Sequence, residues 1–186
     1  MPVAVQADTD RWRSTIDEAA QRYDIPESWI RAVMLAESGG DPHAVSPKGA
    51  MGPMQIMPGT WGELRGQLGL GTDPFDPHDN IFAGTAFLRA MRDRYGYPGL
   101  FAAYNAGPAR YDRYLKTGAP LPPETQRYIA ALARTPADAA MPPAVLSGTR
   151  LFFRLRTAEN TTSDARQMAG PGDLFVPLTT LSADRK

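Results

Sequence analysis

The sequence contains no cysteine, which removes disulfides, thiolate zinc sites and a cysteine nucleophile together. Histidine is almost as scarce. His43 and His78 are the only two, and neither stands in an H-E-x-x-H arrangement, so no metal site is expected. His43 reads as a solvated loop residue in the turn around Gly39 to His43. Charge of one sign is missing as well: twenty basic and twenty acidic side chains cancel. No field remains to attract nucleic acid or another polyanion, whereas a neutral glycan is a compatible partner. No stretch approaches the roughly eighteen apolar residues that a membrane helix requires, so no transmembrane segment is expected. The amino terminus shows no basic region followed by an apolar run and therefore no intact signal peptide. Val5-Gln6-Ala7 ahead of Asp8 does have the small-residue pattern of a secretory cleavage site. The start reads either as a signal remnant ending at Ala7 or as a chain exported by another route.

What is present is enough for one domain and something extra. The 186 residues are 42% apolar and include three Trp. Helical periodicity dominates residues 9–134, and strand-like alternation is nearly absent. The spacing predicts helices over 10–23, with Trp12, Ile16, Ala19 or Ala20 and Tyr23 on one face, and over 25–37. Pro58 opens another through Leu64 and Leu68. The longest covers 80–95, with Ile81, Phe87, Leu88, Met91 and Tyr95 inward and Arg89, Arg92, Asp93 and Arg94 as solvent surface. Shorter ones follow at 99–105, 108–115 and 124–134. After Thr135 the texture changes, with Pro136, Pro142, Pro143, Pro171 and Pro177 and no helical period. Leu151-Phe152-Phe153 and Leu174-Phe175-Val176 are too short to order fifty residues, so 135–186 is expected to be an irregular tail unless those runs dock elsewhere. The expected organisation is an N-terminal extension at 1–8, a mainly α domain at 9–134 and the tail.

One residue of the second helix is out of place. Pro26 suits a first helical position and Gly39-Gly40 with Pro42 a stop. Steps of three and four from Ile30 reach Val33 and Met34, and then Glu37. A carboxyl on the apolar face is desolvated in its charged form, which should raise its pKa above the ordinary value of about 4.3 and suit it to general acid work. The plainer reading is a helix-end glutamate that caps or turns to water. From this helix alone both stand.

Two further segments bear on the choice. Ser46 opens S-P-K-G-A-M-G-P-M-Q-I-M-P, where Gly49 and Gly52 permit a chain reversal before Met54, Gln55 and Met57. Phe101 to Gly107 is an apolar run closing on Tyr104 and Asn105. In order and spacing, A-E-S-G-G-D-P, S-P-K-G-A-M-G-P-M-Q-I-M-P and A-Y-N-A-G resemble the soluble lytic transglycosylase (SLT) domain of bacteria, related to goose-type lysozyme. The resemblance runs from about Trp12 to Arg134 and includes an E-T-x-x-Y-I segment at Glu124 to Ile129. Pro53 departs from it, since the family usually has an aliphatic residue there.

The resemblance implies a lysozyme-like helical domain with a glycan-binding groove, no cofactor, and a place in the periplasm or cell envelope. Its substrate would be peptidoglycan glycan strands. Glu37 would be the catalytic acid; Ser46 and Gln55 would orient the sugar or the acid. Met54 or Met57 would form an apolar wall, and Tyr104 with Asn105 the opposite one. Glu124 stands where the family often has a second glutamate, with a structural ion pair as the other reading. Many glycosidases use two carboxylates, but between Glu37 and Trp61 the only other acid is Asp41, and Asp76 and Asp79 read as turn and cap residues. One carboxylate suits a lytic transglycosylase, which cleaves the MurNAc-GlcNAc bond by transfer to the sugar's own C6 hydroxyl. Two alternatives remain: a hydrolytic muramidase, and a weakly active glycan-binding component of a secretion or conjugation apparatus, the setting in which small tailed members of the family often occur.

Overall fold

The computed structural model describes residues 9–133. The expectations for a remnant ending at Ala7 and for the tail with Phe152, Phe153 and Phe175 lie outside the described residues. Within them run α1 (Arg13–Tyr23), α2 (Glu27–Ser38), α3 (Pro58–Leu68), α4 (Pro77–Tyr95), α5 (Gly99–Ala106), α6 (Pro108–Thr117) and α7 (Pro123–Leu132). Among the described residues no strand forms, only isolated bridges from Met51 to Val45 and to Ile56. No described helix is long and apolar enough to cross a membrane.

Local chemistry sets the ends. Proline occupies the first turn of α3, α4, α6 and α7, where its missing N–H costs nothing. Left-handed residues stop α1 at Asp24, α2 at Gly39, α3 at Gly69 and α6 at Gly118. Two starts differ from expectation by three residues. The Asp76 carboxylate accepts from the Asp79 amide at 3.0 Å, so α4 begins a turn earlier, at Pro77. Trp12 has ψ of 12° and caps α1, which begins at Arg13.

Helix α4 is the axis of the domain. Every residue from Asn80 to Leu88 is buried, on all sides of the helix rather than on one stripe. Ala83, Gly84, Thr85 and Ala86 keep that stretch thin, and the Thr85 hydroxyl is satisfied by the Ile81 carbonyl at 2.7 Å. A Cβ on Gly84 would lie 2.5 Å from Met54 Cβ, so the 51–55 loop rests on the helix almost at backbone contact. Asn80, fully buried, ties that loop down. Its Oδ1 accepts from Met54 N at 2.8 Å, and its Nδ2 donates to Met51 O at 3.0 Å and Pro74 O at 2.9 Å. Gly52 leaves the room this needs: with φ of +72° it presents a face where a Cβ would stand 2.5 Å from Asn80 Nδ2.

The charged side of α4 is not plain solvent surface. Arg89 donates to Tyr23 O at 2.8 Å, Arg92 donates to Asp24 O, and Arg92 pairs with the Asp24 carboxylate at 3.1 Å. The last carbonyls of a helix lack intrahelical partners, and two long side chains reach across to satisfy those of α1. Arg94 pairs with Asp112 of α6 at 2.6 Å, and the Tyr95 hydroxyl donates to Asp112 Oδ1 at 2.8 Å. Those polar contacts, with Tyr111 edge-on to Tyr95 at 5.0 Å, hold a helix that buries none of its residues.

Asn80→Ala strands buried polar groups of Met51, Met54 and Pro74. Chemical denaturation should show a loss of about 2–4 kcal/mol. A loss within experimental error would mean the loop does not depend on this side chain.

Candidate active site

Helix α2 delivers Glu37 as the spacing implies. Ile30, Val33 and Met34 are fully buried, and Glu37, one turn on, is half-buried beside them. Burial pushes its carboxyl up from 4.5 to about 7; the nearby Tyr128 hydroxyl pulls the other way, and the Glu124 carboxylate adds an upward push. Of the two sequence readings for this helix end, the desolvated acid is the one realised.

Two tyrosines from different helices stand over the carboxyl. Tyr104, near the end of α5, is 8% exposed and its hydroxyl donates to Met54 O at 2.8 Å. Tyr128, on α7, is buried at 9% exposure. Its hydroxyl closes no hydrogen bond of good geometry, yet lies near enough to Glu37 for each to shift the other's titration. Both phenols are pushed well above 10 by burial and by the Glu37 charge, which keeps them neutral donors. Glu124, exposed in the first turn of α7, sits at the rim, close enough to be felt and open to water.

Facing the acid is the loop that α4 holds. Gln55 has φ of +50°, a left-handed backbone unusual for a residue with a side chain. Its Nε2 donates to Ala44 O at 3.1 Å and Gly52 O at 2.9 Å. Both amide protons are therefore used within the loop, and Oε1 is the atom it can offer a sugar hydroxyl. Pro53, the departure from the family pattern, contributes its carbonyl, which accepts from Ser38 Oγ at 2.7 Å.

The remaining expected residues divide. Met54 is fully buried against Gly84 and cannot be an apolar wall of a groove; it acts through its backbone, as acceptor from Tyr104 and donor to Asn80. Met57, at 43% exposure, is the methionine available to a ligand. Asn105 accepts from Thr125 Oγ1 at 2.8 Å, which ties the end of α5 to α7 and leaves its Nδ2 protons for a ligand. Ser46 helps close its own turn, since Oγ accepts from Ala50 N at 3.0 Å and the two backbones pair at 3.0 Å, and its O–H remains as a donor. Tyr128 and Ser38 went unnoticed as site residues. The signal for Tyr128 was in E-T-x-x-Y-I, where it lies one helical turn beyond Glu124 and on the same face.

Comparison with known proteins gives this arrangement a context. The "Transglycosylase SLT domain" profile matches residues 14–123, a span that takes in Glu37, Gln55, Tyr104 and Asn105, begins after Arg11 and Trp12, and stops just ahead of Glu124. A transglycosylase of Enterobacteria phage PRD1 is 41% identical over 86 residues, 46% of this chain and 31% of that protein. The soluble lytic murein transglycosylase of Escherichia coli K12 is 35% identical over 127 residues, 59% of this chain and 19% of that protein. The crystal structure of the 70 kDa soluble lytic transglycosylase of Escherichia coli superposes with a TM-score of 0.59 at 30% identity, over 65% of this chain and 22% of that one. The lytic transglycosylase Slt of Pseudomonas aeruginosa, crystallised as an inactive mutant, gives 0.57 at 30% identity, over 65% and 23%. The chain thus spans a third or less of the length of these relatives. Since the matched segment exceeds half of its residues and carries the acid, its loop and one of its tyrosines, the chain belongs to the transglycosylase SLT domain family.

Proposed function

We propose that this protein is a peptidoglycan lytic transglycosylase that cleaves the β-1,4 bond between N-acetylmuramic acid and N-acetylglucosamine to leave a 1,6-anhydromuramyl end. The observation that carries the reading is one carboxyl held near pKa 7 under two neutral tyrosines. At neutral pH such a group is present in both protonation states, which suits a residue that must give a proton and then take one back. Protonated Glu37 donates to the glycosidic oxygen as the C1–O bond breaks. The resulting carboxylate accepts the proton of the muramyl C6 hydroxyl while that oxygen bonds to C1. The proton count closes without water. The neutral Tyr128 hydroxyl beside the carboxyl is placed to donate to its ionised form. Glu124 is a poor second catalyst, because it is exposed to water at the start of α7.

Glycan strands of the cell envelope are the partner this chemistry requires, and the place of action would be the periplasm or another envelope compartment. The finer proposal is service to an envelope-spanning secretion or conjugation machine, with residues 135–186 as the element that delivers or docks the catalytic domain. Residues 9–134 are proposed as the catalytic unit because every group placed around Glu37 falls inside them.

Glu37→Gln removes a proton donor at nearly constant volume. It should abolish release of 1,6-anhydro products from purified murein by mass spectrometry while leaving glycan binding in place. Products heavier by one water in the wild type would assign the site to hydrolysis instead, and activity above a few per cent in the variant would remove Glu37 from its role.

The raised pKa also has a stability consequence. Between 4.5, the usual value, and about 7, the folded chain keeps a proton that the unfolded chain has released. The contribution of this group is therefore most favourable below 4.5 and declines as pH rises through 7. Glu37→Gln escapes that decline, so its unfolding free energy should gain on the wild type's between pH 4.5 and about 7 and level off above. Parallel curves for the two proteins would show that Glu37 is not desolvated.

A chain ending at Arg134 should keep its melting temperature and its activity on purified murein. A lower melting temperature or lost cleavage would mean that the segment beyond it belongs to the catalytic unit.

A further inference from the structure

After the acid and Ser38 come two consecutive glycines, both at positive φ, Gly39 at +67° and Gly40 at +85°. Such a pair has more backbone freedom than any other dipeptide, and it is the only covalent connection between the last turn of α2 and the segment leading to the Gln55 loop. Left to itself it would let the Gly40–Asp41 peptide rotate and α2 fray back toward Glu37.

Four hydrogen bonds remove that freedom. Gly40 N donates to Ser38 Oγ at 3.0 Å, and Ser38 Oγ donates on to Pro53 O at 2.7 Å, which joins the turn to the 53–55 loop. The Gly40 carbonyl is held from the opposite direction. Trp12 Nε1 donates to it at 3.2 Å and Arg11 Nη2 at 2.5 Å. The Arg11 guanidinium lies 4.9 Å above the Trp12 ring, so the two donors orient each other and converge on one oxygen. The arm that carries them is seated on the same helix as the acid. Thr9 is 1% exposed, and Arg31 of α2 reaches its carbonyl and its hydroxyl, each at 3.4 Å.

We propose that Arg11 and Trp12 are positioning residues for proton transfer: by clamping the Gly40 carbonyl they fix the Ser38–Asp41 turn and, through Ser38, the spacing between Glu37 and the Pro53–Gln55 loop. Both precede α1 and contribute no group to the reacting atoms. The charged and titratable groups that bear on Glu37 itself come from other elements, Tyr104 on α5 and Tyr128 and Glu124 on α7. Loosening the turn therefore leaves that set intact and changes only how much water reaches the carboxyl. More water favours the ionised form, so less of the acid is protonated at neutral pH.

The role rests on the transglycosylase reading, and the test separates the two. Trp12→Phe keeps the ring under Arg11 and deletes the Nε1 donor, Arg11→Gln weakens the other donor, and the double variant opens the clamp. On soluble, uncrosslinked glycan strands the double variant should lose roughly three- to tenfold in kcat, the scale of one hydrogen bond's worth of positioning, with KM unchanged. NMR titration of Glu37 should move toward 4.5, the amides of residues 39–41 should exchange faster, and Arg11→Lys should restore most of the loss. Trp12→Phe alone keeps the test open should the double variant fold poorly. An unchanged Glu37 titration together with unchanged exchange at 39–41 would overturn the proposal, as would a kcat loss no larger than the loss of folded protein. A wild-type chain inactive on all glycans would remove the transglycosylase reading, while the titration and exchange measurements would still decide the clamp.

Discussion

The architecture depends on one amide side chain buried inside a helix. Asn80 donates and accepts for three stretches of irregular backbone, at Met51, Met54 and Pro74, that would otherwise be desolvated without partners. A loop can rest in the interior only if its peptide groups are satisfied there. The thin stretch of α4 around Gly84 lets the loop come close, and Asn80 makes the closeness affordable. From that anchored loop come the carbonyl that orients Tyr104 and the left-handed Gln55. The site is thus built from the core outward, with its mobile-looking turns fixed from below.

The second organising principle is electrical restraint. Few charges stand near the acid, and those groups that do face it, two phenols, are held neutral by the same burial that raises its pKa. A cation in their place would pull the carboxyl down and spoil it as a donor. Arg89, Arg92 and Arg94 are spent elsewhere, on the open carbonyls of α1 and on Asp112. This division puts salt links on the outside of α4 and neutral hydrogen bonds on its inside.

Helix number, order and most ends were legible in the sequence, because proline and glycine punctuate it and because the Ile30, Val33, Met34 and Glu37 spacing needs only local counting. The family resemblance ordered the motifs correctly as well. What escaped was decided across distance. Met54 and Met57 look alike in a string, and only the glycine at 84 determines that the first is swallowed by the core. Arg89 and Arg92 carry an ordinary surface pattern, and their use depends on where α1 ends. Ser46 also closes its own turn, which the string does not reveal, and Tyr128 acquires its meaning from a helix about ninety residues away in sequence. Periodicity reports which face is buried and not what that face meets.

Helix α6 has a different consequence. It lies between Gly107 and Gly118, both at positive φ, and no residue of it is buried. Its attachment is a carboxylate held by a phenol and a guanidinium, together with an edge-on ring contact. Because so little packing constrains its sequence, this segment can absorb change at small thermodynamic cost while standing next to the end of α5 where Tyr104 and Asn105 sit. In a family of shared chemistry, such a helix is where lineages can diverge in what they recognise without rebuilding what they catalyse.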